Sequence, residues 1–275
     1  MSAPAPIRWQ AEAIWEAVAP HLPGFTIEIL PSIDSSNTEL MRRARTGDLA
    51  PTLLVAEQQT AGRGRMGKQW VSSVGDSLMF SLAMPLAPHD WSGLSLAVGQ
   101  VLAEALQPFT GHSTPSLRLK WPNDLWLEGD RKLGGILIET AHFAGHAGGA
   151  AQRQVIVGVG LNVRPRAEQN LSTPPACLQD LDARWDAPQA LAAVVPPLVE
   201  CLQRFEREGF AAFHAAFNAR DVLRGRAVVL SDGTHGSAEG VDHDGALLVR
   251  TVRGLERITS AEVSVRPSPS TPVAP

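Results

Sequence analysis

Nowhere does the sequence run for about 18 uninterrupted apolar residues, the length a membrane-spanning helix requires, so it offers no candidate span. The opening residues, MSAPAP, lack the basic start and the apolar stretch of a secretory signal. A cytoplasmic protein is expected. Cysteine is scarce: Cys177 and Cys201 make neither a metal-ligand spacing nor a disulfide framework, which fits a reducing compartment and a packing role. A basic surplus is lacking too, since 24 Lys and Arg face 28 Asp and Glu for a net charge of −4. That balance excludes a broad nucleic-acid-binding face and confines any basic site to a local patch. The eight histidines show no two-His spacing with a third ligand. His112, His142 and His146 fall in loops, and Gly245 makes Asp242-His243-Asp244 a hairpin turn rather than a metal cluster. Repeats at solenoid or propeller periods are also missing, which excludes arrays.

What is present is ordinary globular material, 44% hydrophobic and 19% charged. A length of 275 residues, set against about 150 for a typical domain, fits one large domain or two unequal ones. Ile7, Ala11, Ile14, Trp15 and Val18 recur at helical spacing before Pro20, Pro23 and Gly24, so residues 1–24 read as a short helix with an extension. Phe25 to Leu30 alternates as a strand, and Ser36 with Glu39 makes a capping box for a helix reaching Gly47. Thr52 to Glu57 is a buried strand running into QQTAGRGRMGKQW, a loop without apolar periodicity. Strands follow at Ser77 to Met84, Leu117 to Lys120, Ile136 to Glu139 and Gln154 to Val159, with a helix at Trp91 to Leu106. Pro188 to Phe205 and Phe210 to Asn218 are helical, the first kinked or divided at Pro196 and Pro197. The alternation predicts an α/β body over residues 25–220. Residues 221–266 change to short strands separated by Asp/Gly turns, a small β-barrel, and the tail from Arg266 (267–275) reads as disordered.

Three segments concentrate chemistry. Gly62, Gly64 and Gly67 spell G-x-G-x-x-G after a strand, but the following KQWVSSVGD is polar and leads into a strand rather than a helix, so the dinucleotide reading fails. Arg63, Arg65 and Lys68 between those glycines instead describe a loop that bends around an anion and presents cations to it. Lys120-Trp121-Pro122-Asn123-Asp124 sets a cation, an aromatic, a rigid turn and two oxygen-bearing side chains at a strand end. Asp124 is a candidate Mg²⁺ ligand because that ion favours few carboxylates plus phosphate oxygens, although for the segment taken alone an Asn/Asp turn between paired strands is the better explanation. Arg131-Lys132-Leu133-Gly134-Gly135 precedes the apolar strand Ile136 to Glu139 and aims Lys132 into whatever cavity that strand lines.

Taken in order with Asp34-Ser35-Ser36-Asn37 and Gly158-Val159-Gly160-Leu161-Asn162, the segments GRGRMGKQW, KWPNDLWL and RKLGGILIE resemble the biotin-protein ligase family over residues 25–265. The resemblance implies a mixed sheet with flanking helices, like the catalytic domain of class II aminoacyl-tRNA synthetases, followed by a small C-terminal SH3-like β-barrel. It implies a biotin-[biotin carboxyl-carrier protein] ligase that makes biotinyl-5'-AMP from biotin and ATP with Mg²⁺, then biotinylates a lysine of a carrier protein of acetyl-CoA carboxylase or a related carboxylase. Arg65 and Lys132 match the catalytic cations. Ser35, Ser36, Asn37, Gln59, Arg63, Gly64, Arg65 and Lys132 match biotin-binding positions, with Ser36 where many relatives have Thr. Trp70, Lys120, Asn123, Asp124 and Asn162 match positions near the nucleotide and metal. Trp126 stands where tyrosine is frequent, in a chain without tyrosine.

Some family members carry an N-terminal DNA-binding module of about 60 residues, but roughly 24 residues with Arg8 as their one basic side chain precede the first strand here. A monofunctional ligase that binds no DNA is therefore expected, as monomer or homodimer. The nearest alternative is a lipoate or octanoate ligase of the same superfamily, whose substrate offers no ureido group to Gln59. A catalytically dead binding module is the alternative from another class, and the joint presence of Arg65, Asp124 and Lys132 argues against it.

Overall fold

The computed structural model describes residues 7–71, 73–107, 116–142, 153–166, 173–259 and 265–267. The first helix, α1 (Ala11–Val18), buries Ile14 and Val18 at the expected spacing, while Trp15 stays half exposed. Next come β1 (Thr26–Leu30), α2 (Ser36–Arg45) and β2 (Thr52–Ala56), with the two strands paired in parallel. The body continues through β3 (Ser77–Leu86), α3 (Leu94–Leu106), β4 (Arg118–Lys120), β5 (Asp124–Leu127), β6 (Arg131–His142), β7 (Arg153–Asn162), α4 (Ala187–Glu208) and α5 (His214–Arg220). Its seven strands lie in the order β1-β2-β3-β7-β6-β5-β4, antiparallel except for the first pair, so the sheet is mixed as expected.

The two faces of this sheet differ. On one, Val55, Phe80, Leu82, Val157 and Val159 meet Val98, Leu102, Val194 and Leu198 of α3 and α4 in a continuous core. On the other, α2 covers a small patch of Leu40, Leu54, Ala83 and Ile156. Beyond that patch the strands β3, β7 and β6 present Ser81, Gly158, Gly160 and Gly135. A sheet face that carries hydroxyls and glycines instead of aliphatic side chains has room for a ligand.

Several expectations need correction. Arg131 to Gly135 belongs to β6 rather than preceding a strand, and Trp121, Pro122 and Asn123 form the turn between the paired strands β4 and β5, as the turn reading of KWPND expects. The glycines stay in register because Gly134 faces Leu161 and Gly135 faces Gly160 across the ladder. The register also shifts between Leu125 and Trp126 of β5, leaving Leu133 as an extra residue in β6. Such a bulge reverses the alternation, and it puts Lys132 on the same face as Gly135 and Leu137. Pro196 and Pro197 do not divide α4, which runs unbroken from Ala187 to Glu208. Each proline costs a helix about 3 kcal/mol, but Leu191, Val194, Val195, Leu198, Val199, Leu202 and Phe205 are at most 1% exposed. Burying one such side chain contributes about 1.5–3 kcal/mol, so the apolar stripe prevails.

The C-terminal strands β8 (Ala227–Leu230), β9 (His235–Val241), β10 (Leu247–Thr251), β11 (Gly254–Ile258) and β12 (Val265–Pro267) form a separate antiparallel sheet in the order β11-β10-β9-β8-β12. Arg266 and Pro267, expected in the disordered tail, pair with Val229 and Val228, an edge position that tolerates proline. The rest of that tail lies outside the described residues, as do His112 and His146. Several ties fasten the C-terminal segment to the body, among them the hydrogen bonds of Val241 with His214 and Asn218 of α5. The buried Trp121 donates its indole N–H to the Gly245 carbonyl at 3.1 Å, Arg226 holds both Asp130 oxygens at 2.7 Å, and the Val222 N–H reaches the Leu119 carbonyl at 2.9 Å. Cys177 and Cys201 are buried free thiols, and no helix among the described residues is long and apolar enough to cross a membrane.

Candidate active site

The open sheet face and the N-terminus of α2 enclose a cavity lined at one end by Ser35, Ser36, Asn37, Gln59 and Ser81. The helix cap falls one residue earlier than expected: Ser35 Oγ accepts the Thr38 N–H, and Glu39 pairs with Arg42 and Arg43 instead of capping. This releases Ser36 for the cavity. Its N–H donates to Gln59 Oε1 at 2.8 Å, and its hydroxyl lies 2.7 Å from Ser81 Oγ. Ser81 in turn donates to Asn37 Oδ1 at 2.6 Å, and an amide oxygen only accepts. With the Ser81 proton committed, the hydrogen between the two serines comes from Ser36. Ser36 Oγ, beside the cavity, thereby keeps lone pairs with which it can accept from a ligand that offers N–H groups.

Asn37 is 3% exposed and fits only because its neighbour on β7 is glycine: a Cβ on Gly158 would collide with Asn37 Oδ1. Two residues on, a Cβ on Gly160 would lie 2.7 Å from the Trp70 ring. The G-V-G spacing thus serves both ends of the site, because residues two apart share a face of a strand.

The other end is cationic. Lys132 Nζ pairs with Asp124 Oδ1 at 2.7 Å, Arg65 donates to Asn123 Oδ1 at 3.3 Å, and Asn123 Nδ2 donates to the Ile136 carbonyl at 2.8 Å. Burial pushes the Arg65 guanidinium below its ordinary value against the pull of Asp124, yet arginine remains charged. Lys120, 8% exposed and 5.2 Å from the Trp126 ring centre, is brought down by burial from 10.5 to about 8, with Asp124 opposing and Lys132, Lys68 and Arg266 reinforcing the shift. Its charge is held at a cost that a nearby anion would relieve.

The glycine-rich loop closes over the cavity as a tight hairpin: Gly64 and Lys68 share a 2.7 Å backbone hydrogen bond, the Trp70 N–H reaches the Gly62 carbonyl at 2.9 Å, and Arg65–Gly67 form a short 3-10 turn. Of the residues singled out from sequence, Ser35, Ser36, Asn37, Gln59, Arg63, Gly64, Arg65, Trp70, Lys120, Asn123, Asp124 and Lys132 all line this one cavity. Asn162 does not. Its amide donates to the carbonyls of Ala176 and Lys132, and it lines an adjoining cavity with Arg166, Trp126 and Arg266. Ser81 escapes the sequence because a serine inside a buried strand gives no local signal, whereas Gly135 and Gly158, which also line the cavity, belong to segments singled out there without a role of their own. Among the described residues no three His, Cys, Asp or Glu side chains gather as a preformed metal cage.

Residues 29–162 match the Biotin/lipoate A/B protein ligase family, and residues 224–266 match the Biotin protein ligase C terminal domain. The chain is 35% identical over 255 residues to the bifunctional ligase/repressor BirA of Escherichia coli, covering 89% of this chain and 75% of that protein. It is 31% identical over 246 residues to the biotin--[acetyl-CoA-carboxylase] ligase of Paracoccus denitrificans, covering 86% of this chain and 98% of that one. The biotin protein ligase of Aquifex aeolicus, solved in complex with biotin and ATP, shares the fold with a TM-score of 0.71 at 28% identity, over 88% of this chain and 99% of that chain. With both matched regions in their expected order and the site residues gathered in one cavity, this chain belongs to the biotin protein ligase family.

Proposed function

We propose that this enzyme activates biotin with ATP as biotinyl-5'-AMP and then transfers the biotinyl group to a lysine of a biotin carboxyl carrier protein. The observation that carries this reading is the polarity of the cavity, with N–H acceptors at one end and Arg65, Lys120 and Lys132 at the other. The biotin carboxylate attacks the α-phosphorus of ATP, the bond to the bridging oxygen breaks, and pyrophosphate leaves. Two anions must meet for this to happen, so fixed cations stabilise the transition state more than the separated reactants. In the second step the lysine amine attacks the acyl carbon and AMP departs. The same polarity favours biotin over lipoate, whose dithiolane has no N–H for Ser36.

Asp124, a carboxylate in the cavity's lining, would hold Mg²⁺ carried in with the nucleotide, since that ion favours few carboxylates plus phosphate oxygens. The ion would supply neutralisation of the polyphosphate charge. The decisive experiment is pyrophosphate release with ATP, Mg²⁺ and either biotin or lipoate, followed by addition of a carrier domain. Release with biotin and label transfer are expected; release with lipoate alone would reassign the substrate, and release with neither would leave a binding protein.

Two further outcomes follow from the cations. Arg65→Gly removes a charge-assisted donor from the lid, an interaction of about 1.5–3 kcal/mol, so bound adenylate should escape about 10- to 100-fold faster in a filter-retention time course. An unchanged lifetime contradicts that role. Lys120 sets a pH dependence. Below about pH 8 it is protonated in the free enzyme, and a polyphosphate raises its pKa. ATP affinity should therefore decline as pH rises through about 8, with proton uptake on binding in calorimetry. Lys120→Met should flatten that decline, and a wild-type affinity independent of pH between about 7 and 9, roughly a unit either side of the shifted pKa, would exclude it.

A further inference from the structure

One carboxylate belongs to neither end of the cavity yet holds residues of both the lid and the pocket. Glu139, on β6, does not line the cavity. Its Oε1 accepts from Arg63 Nη2 at 3.1 Å, and its Oε2 accepts from Arg63 Nη1 at 3.3 Å and from Asn37 Nδ2 at 3.1 Å. The other Asn37 Nδ2 hydrogen goes to the Leu137 carbonyl at 3.1 Å. Both amide hydrogens are thus spent on atoms that only accept, which fixes Oδ1 toward Ser81 and so makes Ser36 the donor in its hydrogen bond to Ser81.

We propose that Glu139 is a positioning residue that couples closure of the glycine-rich lid to the polarity of the cluster that reads the biotin ring. With the lid down, Arg63 draws the carboxylate into a two-pronged pair, and the same carboxylate holds the Asn37 amide. With the lid up, Glu139 loses the cation, and the Asn37 amide loses part of its restraint. By reciprocity, a ligand that needs Ser36 as an acceptor favours the closed lid. The ion pair is partly exposed, with side chains 48% and 22% accessible, so its share is modest. The Asn37 contact is the more enclosed of the two.

The inference rests on the biotin reading, and two variants separate its arms. Glu139→Gln keeps an oxygen for Asn37 but removes the charge that holds Arg63. It should speed loss of biotinyl-5'-AMP about fivefold while leaving the Kd for biotin within about twofold. Glu139→Ala removes both contacts and should in addition weaken biotin about tenfold. Arg63→Ala should match Glu139→Gln in adenylate loss, and the double variant should be no faster than either single one. Wild-type adenylate retention in Glu139→Gln, or strictly additive effects in the double variant, overturns the coupling. Thermal midpoints matching wild type show that the variants fold. If the wild-type protein makes no adenylate from biotin, the functional reading itself fails, a result independent of Glu139.

Discussion

Replacing Lys132 with alanine should lower adenylate formation about 100- to 1,000-fold, because a fixed group that stabilises charge in a transition state contributes about 2.7–4 kcal/mol. Two effects act in the same direction. The substitution removes a cation from the place where carboxylate and α-phosphate meet, and it strips the 2.7 Å partner from Asp124, so that the carboxylate draws instead on Arg65 and Lys120, the cations left to meet the substrates. Transfer from supplied biotinyl-5'-AMP to the carrier should suffer far less, because the anhydride is then already made. Single-turnover pyrophosphate release, compared with transfer from synthetic adenylate, reads the two steps separately. Normal pyrophosphate release by Lys132→Ala would remove this lysine from the chemistry.

Gly158→Ala is expected to weaken biotin at least about 100-fold while leaving the fold intact. The new methyl group would occupy the position of Asn37 Oδ1. Asn37 cannot yield cheaply: it is 3% exposed and bonded to Ser81, Leu137 and Glu139. Overpacking alone costs about 1–3 kcal/mol, and displacing the amide also leaves Ser81 and Ser36 without their hydrogen-bond order. The backbone register of β7 with β3 and β6 does not depend on that hydrogen, so circular dichroism should change little, while the melting midpoint should fall by several degrees, about 2–4 °C per kcal/mol of overpacking. Gly160→Ala is the companion experiment, since its methyl meets Trp70 instead; it should disturb the lid and nucleotide end and spare biotin. Equal effects of both alanines on biotin would contradict the division of the cavity.

Much of this arrangement is legible in the sequence because its signals are local. The apolar run after Thr52 in TLLVA of β2, the glycines alternating with cations in the lid, and the hydroxyls at the start of α2 each carry their own mark. What escapes is set by pairing across the sheet. RKLGG looks like a loop because glycine is a poor strand former, and it becomes β6 only through its partners on β5 and β7. Strict alternation would place Lys132 on the wrong face; the extra residue at Leu133 corrects it, and nothing in the five-letter string announces a bulge. Ser35 rather than Ser36 caps α2 because Ser36 has distant partners in Gln59 and Ser81. Glu139 is likewise silent, an acid at the end of an apolar run whose partners lie 76 and 102 positions away.

The hydrogen bond from Trp121 to Gly245 bears on how this chain can be cut and recombined. Trp121 sits between Lys120 and Asn123, so the hairpin that presents two site residues is anchored in the terminal sheet, without that sheet having to touch a substrate. A truncation before Gly245 would leave a fully buried indole N–H unanswered, a penalty of about 1–3 kcal/mol, at the base of the cationic end. Transplanting a foreign terminal sheet would require the turn at Asp242 to Gly245 to travel with it. The two modules are separate in sequence and in their sheets, yet as parts they are interchangeable only together with this joint.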